Sequence, residues 1–61
     1  MNDVETVKNA LDSIIDDAYF LLQHLPDSGK IDENAAFTIK TYMDEILENS
    51  GCIIYIARKA E

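Results

Sequence analysis

The 61-residue sequence has little of the chemistry that stabilises very small proteins, with one cysteine and one histidine. A lone Cys52 excludes an internal disulfide, and Cys52 with His24 supplies too few ligands for a Cys/His zinc site. Chains this short bury a small share of their surface. They usually need a disulfide, a metal, self-association or very regular helix packing. The sequence therefore predicts regular helices that self-associate, without a metal or a cofactor.

Basic residues are also scarce, since five Lys and Arg stand against twelve Asp and Glu, for a net charge of −7. Binding to nucleic acid or to an anionic membrane needs clustered Lys and Arg. The longest apolar run, residues 52–57, is far too short to cross a membrane. The N-terminus lacks the basic start and apolar run of a signal peptide, and a lone thiol suits a reducing compartment. We expect a cytoplasmic protein that binds neither nucleic acid nor membrane directly.

Residues that interrupt helices are rare, because the chain contains one proline and two glycines. Pro26 and Gly29 both fall in segment 26–30, PDSGK, whose Asp and Ser also favour turns. Asn2 near the start and Asp32 after the turn are suitable N-cap residues. The positions of these turn-forming and capping residues predict two helices joined by one turn.

On both sides of the turn, apolar residues recur with alternating spacings of three and four, the heptad pattern of packed helices. The predicted seams are Val4, Val7, Leu11, Ile14, Ala18, Leu21 and Leu25 in the first half, and Ala36, Ile39, Met43, Ile46, Ser50, Ile53, Ala57 and Ala60 in the second. We predict an all-α protein, an antiparallel two-helix hairpin. It forms a single domain over residues 1–61, with helix 3–24, turn 25–31 and helix 32–58.

Gly51 leaves an alternative open for the C-terminal part. The second heptad keeps its phase across Gly51, which favours one continuous helix. A glycine at this outward position would cost that helix up to about 1 kcal/mol. Residues 53–56, IIYI, are β-branched and aromatic, and Asn-Ser-Gly is a plausible helix stop. A strand over residues 52–57 is therefore the alternative.

The apolar stripes are wider than two helices can cover. A lone hairpin leaves Ile15, Leu22, Leu47 and Ile54 partly in water, and full burial of each such side chain is worth about 1.5–3 kcal/mol. A two-fold dimer that forms a four-helix bundle would cover them. The predicted dimer core comprises Ile15, Leu22, Leu47, Ile53, Ile54 and Ala57.

The predicted plan resembles that of the small plasmid-encoded RNA-binding regulators of replication, which are antiparallel helical-hairpin dimers of similar length. The resemblance implies a dimeric four-helix bundle. RNA binding of that kind needs a basic face, and this acidic chain does not supply one. The resemblance is therefore one of architecture, and RNA binding is not expected.

Two groups of outward residues are candidates for binding a protein partner. Phe20 and Phe37 are predicted to lie at one height near the turn, where they form an apolar patch, clasp each other or enter the dimer interface. The second group is a non-acidic strip that holds a Tyr and an Arg, both frequent interface anchors. This strip comprises Gly51, Cys52, Tyr55, Arg58 and Lys59. Its alternative roles are to pack across the dimer or to fray.

Acidic side chains are predicted to share another face of the hairpin. They are Asp12, Asp16, Asp17, Asp44, Glu45 and Glu48. Such a face would imitate a phosphate backbone and occupy a nucleic-acid-binding protein. The ordinary interpretation is a solvated face that keeps a small apolar protein soluble.

Catalysis is not expected, because it needs a base, an oriented partner and a pocket, and one His with one distant Cys gives no such set. The favoured hypothesis is a small acidic regulator or inhibitor that docks, as a homodimer, onto an unidentified protein. Phages and mobile elements encode inhibitors of this style. The alternatives are an acidic nucleic-acid mimic and a structural assembly subunit.

Overall fold

The computed structural model describes residues 2–60, and over that range it consists of two α-helices packed against each other. Helix α1 is Asp3–Gln23 and helix α2 is Glu33–Lys59. The predicted all-helical hairpin is confirmed. Residues 24–32 link the helices, and the molecule is a rod whose Cα atoms extend over 44 × 15 × 15 Å.

Each helix begins at a side chain that accepts a hydrogen bond from its first turn. The Oδ1 atom of Asn2 accepts from the backbone N–H of Glu5 at 2.7 Å, and the Oδ1 atom of Asp32 accepts from that of Ala35 at 2.8 Å. Acidic side chains in the first turns of both helices interact favourably with the positive end of the helix dipole. Basic Arg58 and Lys59 interact favourably with its negative end in the last turn of α2. The helix starts thus follow from local sequence.

The link is shaped by its own turn-forming residues. Gly29 has φ +82°, a left-handed conformation that glycine adopts without steric cost. The backbone N–H of Lys30 donates to the Ser28 hydroxyl at 3.3 Å. At the end of α1 the backbone N–H of His24 donates to the carbonyls of Phe20 and Leu21, which closes the last turn.

Helix α2 continues through Gly51. Residues 52–57, where a strand was the alternative, are helical. A Cβ atom added at Gly51 would meet no atom within 4 Å, so this glycine does not serve a close approach inside the hairpin. Neither α1 nor α2 is long and apolar enough to cross a membrane, as judged over residues 2–60.

The helices contact each other along a line that differs from the predicted seam. Val4, Leu11, Ala18 and Leu25, four of the seven residues of the first predicted seam, are exposed. The buried or half-buried residues of α1 are Thr6, Val7, Ala10, Ser13, Ile14, Asp17, Phe20 and Leu21. Those of α2 are Ala35, Ala36, Thr38, Ile39, Tyr42, Ile46, Asn49, Ser50, Ile53 and Ile56. We call these two rows the inner seam.

The inner seam uses one edge of each apolar stripe. Ala10 and Ser13 are small, and small side chains allow two helix axes to approach closely. Val7, Ile14 and Leu21 lie on the border of the contact and are half-buried. For α1 the prediction was wrong, because these border residues fit either of two seams and apolar spacing alone favoured the outer one. For α2 most of the predicted seam lies on the observed one, since five of its eight residues are half-buried: Ala36, Ile39, Ile46, Ser50 and Ile53.

Candidate functional site

The two broad sides of the hairpin follow from the inner seam and the direction of the chain. Seen from the end that carries the termini, side chains advance clockwise along α1 and anticlockwise along α2. A step of one residue from the inner seam, about 100°, therefore reaches the same side of the hairpin on both helices. Leu11 and Ala18 of α1 directly follow buried Ala10 and Asp17. In the same way, Met43 of α2 directly follows half-buried Tyr42. The apolar stripes of both helices thus lie side by side.

We call this side the apolar face. It comprises Val4, Leu11, Ile15, Ala18, Leu22 and Leu25 of α1 and the following link, with Met43, Leu47, Ile54 and Ala57 of α2, and half-buried Ser50 lies on its border with the inner seam. Ile15 is 61% exposed, Leu22 69% and Leu47 63%. Side chains of this size contribute little to the hairpin while they remain so exposed.

Charge is distributed unevenly around this face. Between Val4 and Leu25, and between Ala36 and Ala57, the charged residues at apolar-face heptad positions are Lys8 and Lys40. Lys8 precedes Ile15 by seven residues, and Lys40 precedes Leu47 by seven, so each Lys lies on the same row of its helix as that apolar side chain. Long Lys side chains can cover apolar surface with their methylene groups while the ammonium stays in water. The face is therefore compatible with burial.

Asp17 was predicted on the acidic face, and the structure corrects this. It lies on the inner seam, seven residues after Ala10, and is 9% exposed. Its Oδ2 atom is buried without a hydrogen-bond partner. Heptad spacing did not distinguish buried Asp17 from exposed Asp16. The two residues are adjacent, and one step in residue number turns a helical side chain by about 100°.

The other five predicted acids are exposed and lie off the apolar face. They are Asp12, Asp16, Asp44, Glu45 and Glu48. Three of them line an open groove on α2 together with Thr41 and Asn49. The Asn49 amide Nδ2 donates to the carbonyl of Glu45 at 3.2 Å.

Phe20 was predicted to lie outward at the height of Phe37, and this is wrong. Phe20 is half-buried, and its ring stacks on that of Tyr42 with centroids 4.3 Å apart and planes at 10°. His24 stacks on Phe20 at 4.0 Å, and its Nδ1 lies 2.8 Å from the Phe20 carbonyl oxygen. Phe37 is 70% exposed. The missed residue is Tyr42, which heptad spacing from Ala35 and Asn49 would have indicated.

The ring stack also sets the level of side chains on the two helices. Side chains lie at about the same level when their residue numbers add up to about 62, as those of Phe20 and Tyr42 do. Val4 is then level with Ala57, and Leu11 with Ser50. This register matters for what can cover the apolar face.

The predicted strip near the C-terminus is exposed along α2. We call Gly51, Cys52, Tyr55, Arg58 and Lys59 the C-terminal strip. Tyr55 is 64% exposed, and the Nζ atom of Lys59 lies 5.2 Å from its ring centroid, a cation–π distance. Cys52 is an exposed free thiol. The strip therefore offers an aromatic ring, two cations and a thiol to solvent.

The six residues predicted for a dimer core divide into two sets. Ile15, Leu22, Leu47, Ile54 and Ala57 are exposed on the apolar face, whereas Ile53 is half-buried and belongs to the inner seam. Ile53 lies on the same row of α2 as half-buried Ile39 and Ile46, which precede it by fourteen and seven residues. A dimer core built on the apolar face would therefore omit it.

No group of three His, Cys, Asp or Glu side chains within residues 2–60 is arranged to hold a metal ion. Comparison with known proteins finds no family model, no curated protein and no solved structure that matches this chain. The chemistry of the surfaces described above therefore carries the functional argument.

Proposed function

We propose that this protein is a small acidic regulator or inhibitor that acts as a homodimer by docking onto another protein, as inhibitors encoded by phages and mobile elements do. One observation supports this most. Within residues 2–60, Ala10 is the sole buried apolar side chain, while twelve large hydrophobic side chains remain exposed. A chain with so little core of its own is suited to form its stable contacts with other surfaces.

The apolar face and the C-terminal strip have different roles in this proposal. The apolar face serves self-association, and the C-terminal strip meets the target. Tyr and Arg are enriched among residues that dominate binding energy at interfaces, and Tyr55 and Arg58 supply them here. Gly51 lets a partner backbone come close. Cys52 remains a free thiol in the reducing cytoplasm, which is where we place the protein.

The role does not require catalysis. His24, the sole histidine, stacks on Phe20 at the link end of α1, whereas Cys52 lies in the last third of α2. The protein would act by occupying a surface of its target.

Affinity capture from a lysate, with quantitative mass spectrometry, tests the target surface. Tyr55→Ala is the test variant and Tyr19→Ala the control, since the two rings are 64% and 61% exposed. We expect the wild type and Tyr19→Ala to retain the same protein, and Tyr55→Ala to lose it by at least about 30-fold, the effect of a binding hot spot. Equal retention by both variants would remove the C-terminal strip from the proposal.

A second candidate function is supported by the acids around the α2 groove. Asp44, Glu45 and Glu48 line it, and exposed carboxylates in a row can imitate nucleic-acid phosphates. Such a mimic would bind a basic protein through contacts that salt screens.

Ionic strength separates the two functions. Binding by the C-terminal strip should persist from 50 to 500 mM salt, whereas binding by a mimic should collapse over that range, by about an order of magnitude or more. The double variant Asp44→Asn, Glu48→Gln should abolish binding only if the mimic hypothesis is correct.

A further inference from the structure

We infer that the apolar face is covered by a second copy of this chain, which packs its own apolar face against it and completes a four-helix bundle. This inference rests on the proposed function and deepens it, because it assigns the dimer contact to one side of the hairpin and to named residues.

The size of the face fits a self-association surface. The hairpin spans 44 × 15 Å between Cα atoms, a flat area of about 660 Å² on each copy. Two such sides packed face to face cover about 1,300 Å² in projection, and protruding side chains add to the buried area. Specific stable interfaces bury roughly 1,200–2,000 Å² in total, so one broad side of the hairpin is large enough for such an interface.

The pattern of side-chain sizes fits a copy of the same chain. At four levels of the apolar face and its border, one helix supplies a larger side chain and the other a smaller one, whereas Ile15 and Leu47, which are also level, are both large. These four levels pair Val4 with Ala57, Leu11 with Ser50, Ala18 with Met43, and Leu25 with Ala36, of which Ser50 and Ala36 are half-buried on the border with the inner seam. A two-fold copy then puts two larger and two smaller side chains into each of these four layers. Alternation of large and small residues across facing positions is how a core reaches native packing density.

The charges point to the same occupant. Each chain carries a net charge of −7, which would oppose association through the acidic groove. The apolar face holds no acid between Val4 and Leu25 or between Ala36 and Ala57. Packing of the apolar faces therefore leaves the acids of both copies outside, in water, where repulsion between them is screened.

A matched pair of charge insertions tests the face. Ile15 and Tyr19 lie on the same helix, both are 61% exposed, and each follows an Asp by three residues. In a lone hairpin, Ile15→Glu and Tyr19→Glu should therefore have equal effects. In the dimer, Ile15→Glu buries a charge without a partner, whereas Tyr19→Glu does not.

Light scattering after size exclusion measures the outcome. We expect the wild type and Tyr19→Glu at twice the chain mass of 6.9 kDa, or 13.8 kDa, at micromolar concentration. Ile15→Glu should weaken self-association by at least tenfold, whether it leaves a 6.9 kDa hairpin or an unfolded chain. A helical wild type of 6.9 kDa, or equal losses in the two variants, would overturn the inference.

Isotope-filtered nuclear Overhauser spectra on a mixture of labelled and unlabelled wild type keep the test independent of folding defects. We expect intermolecular contacts at the methyl groups of Leu11, Ile15 and Leu47 and none at the ring of Tyr55. Intermolecular contacts at Tyr55 but not at these methyl groups would contradict the assignment. None of these measurements needs the target, so failure of the proposed function would appear separately, as a dimer that captures no partner.

Discussion

The inner seam and the apolar face of this hairpin differ in a way that reverses the usual relation between inside and outside. The inner seam includes Ala10, Ser13, Asn49 and a buried carboxylate, Asp17. The apolar face carries large aliphatic side chains, among them Leu22 at 69% exposed. A contact that aligns two helices therefore need not be the one that stabilises the protein, and the stabilising contact can belong to the next level of assembly.

The largest expected effect is the difference in the free energy of unfolding between Leu47→Ala and Tyr55→Ala. The two side chains are 63% and 64% exposed in the hairpin, so a lone hairpin would lose similarly little from either change. If Leu47 is buried in the dimer, Leu47→Ala should lower the free energy of unfolding by about 2–5 kcal/mol per copy. Tyr55→Ala should lower it by less than about 1 kcal/mol. Urea unfolding followed by circular dichroism, at one protein concentration, measures both. Equal small losses would break the contrast between the apolar face and the remaining surface.

A smaller effect of opposite sign is expected inside the inner seam. Asp17→Ala removes a buried carboxylate oxygen that has no partner, and the residue seven positions earlier is already alanine, Ala10. Because an unpaired buried polar group costs about 1–3 kcal/mol, this substitution should raise the free energy of unfolding by about 1–2 kcal/mol. The exposed neighbour supplies the control, since Asp16→Ala should change it by less than about 0.5 kcal/mol. Destabilisation by Asp17→Ala would mean that the carboxylate has a partner in the assembled protein.

The smallest effect concerns the two glycines. Gly51→Ala should raise the free energy of unfolding by about 0.5–1 kcal/mol, because alanine favours helix and its Cβ would meet no atom within 4 Å. Gly29→Ala should lower it by about 1 kcal/mol or more, because Gly29 has φ +82°. Thermal melts of both variants give the comparison. Loss of stability in Gly51→Ala would show that another chain packs against this glycine, which would move the dimer contact away from the apolar face.

Local features of the fold could be predicted from the sequence because they depend on neighbouring residues. Asn2 and Asp32 cap the helices through hydrogen bonds to residues three positions on, and Gly29 takes the turn conformation that only glycine adopts freely. Continuity of the heptad across Gly51 also identified α2 as one helix. In each case the decisive interaction lies within a few residues along the chain.

The inner seam of α1 could not be predicted, because it depends on which of two faces the helix presents to its neighbour. Ile14 fits both the predicted seam with Leu11 and the observed one with Asp17. Apolarity favours the first, and the structure has the second. The stack of Phe20 on Tyr42 was missed for the same reason, since an outward place for Phe20 followed from the wrong seam. When an apolar stripe is wide enough to contact two neighbouring helices, its residue pattern does not show which edge packs against which helix.

Sedimentation equilibrium of the wild-type protein at several concentrations shows whether two hairpins associate, and circular dichroism of the same samples shows whether the helices are intact. We expect a reversible complex of 13.8 kDa, twice the chain mass of 6.9 kDa, whose helix content falls when dilution separates the copies. A fully helical species of 6.9 kDa at every concentration would contradict it, because the hairpin would then be stable with its apolar face in water.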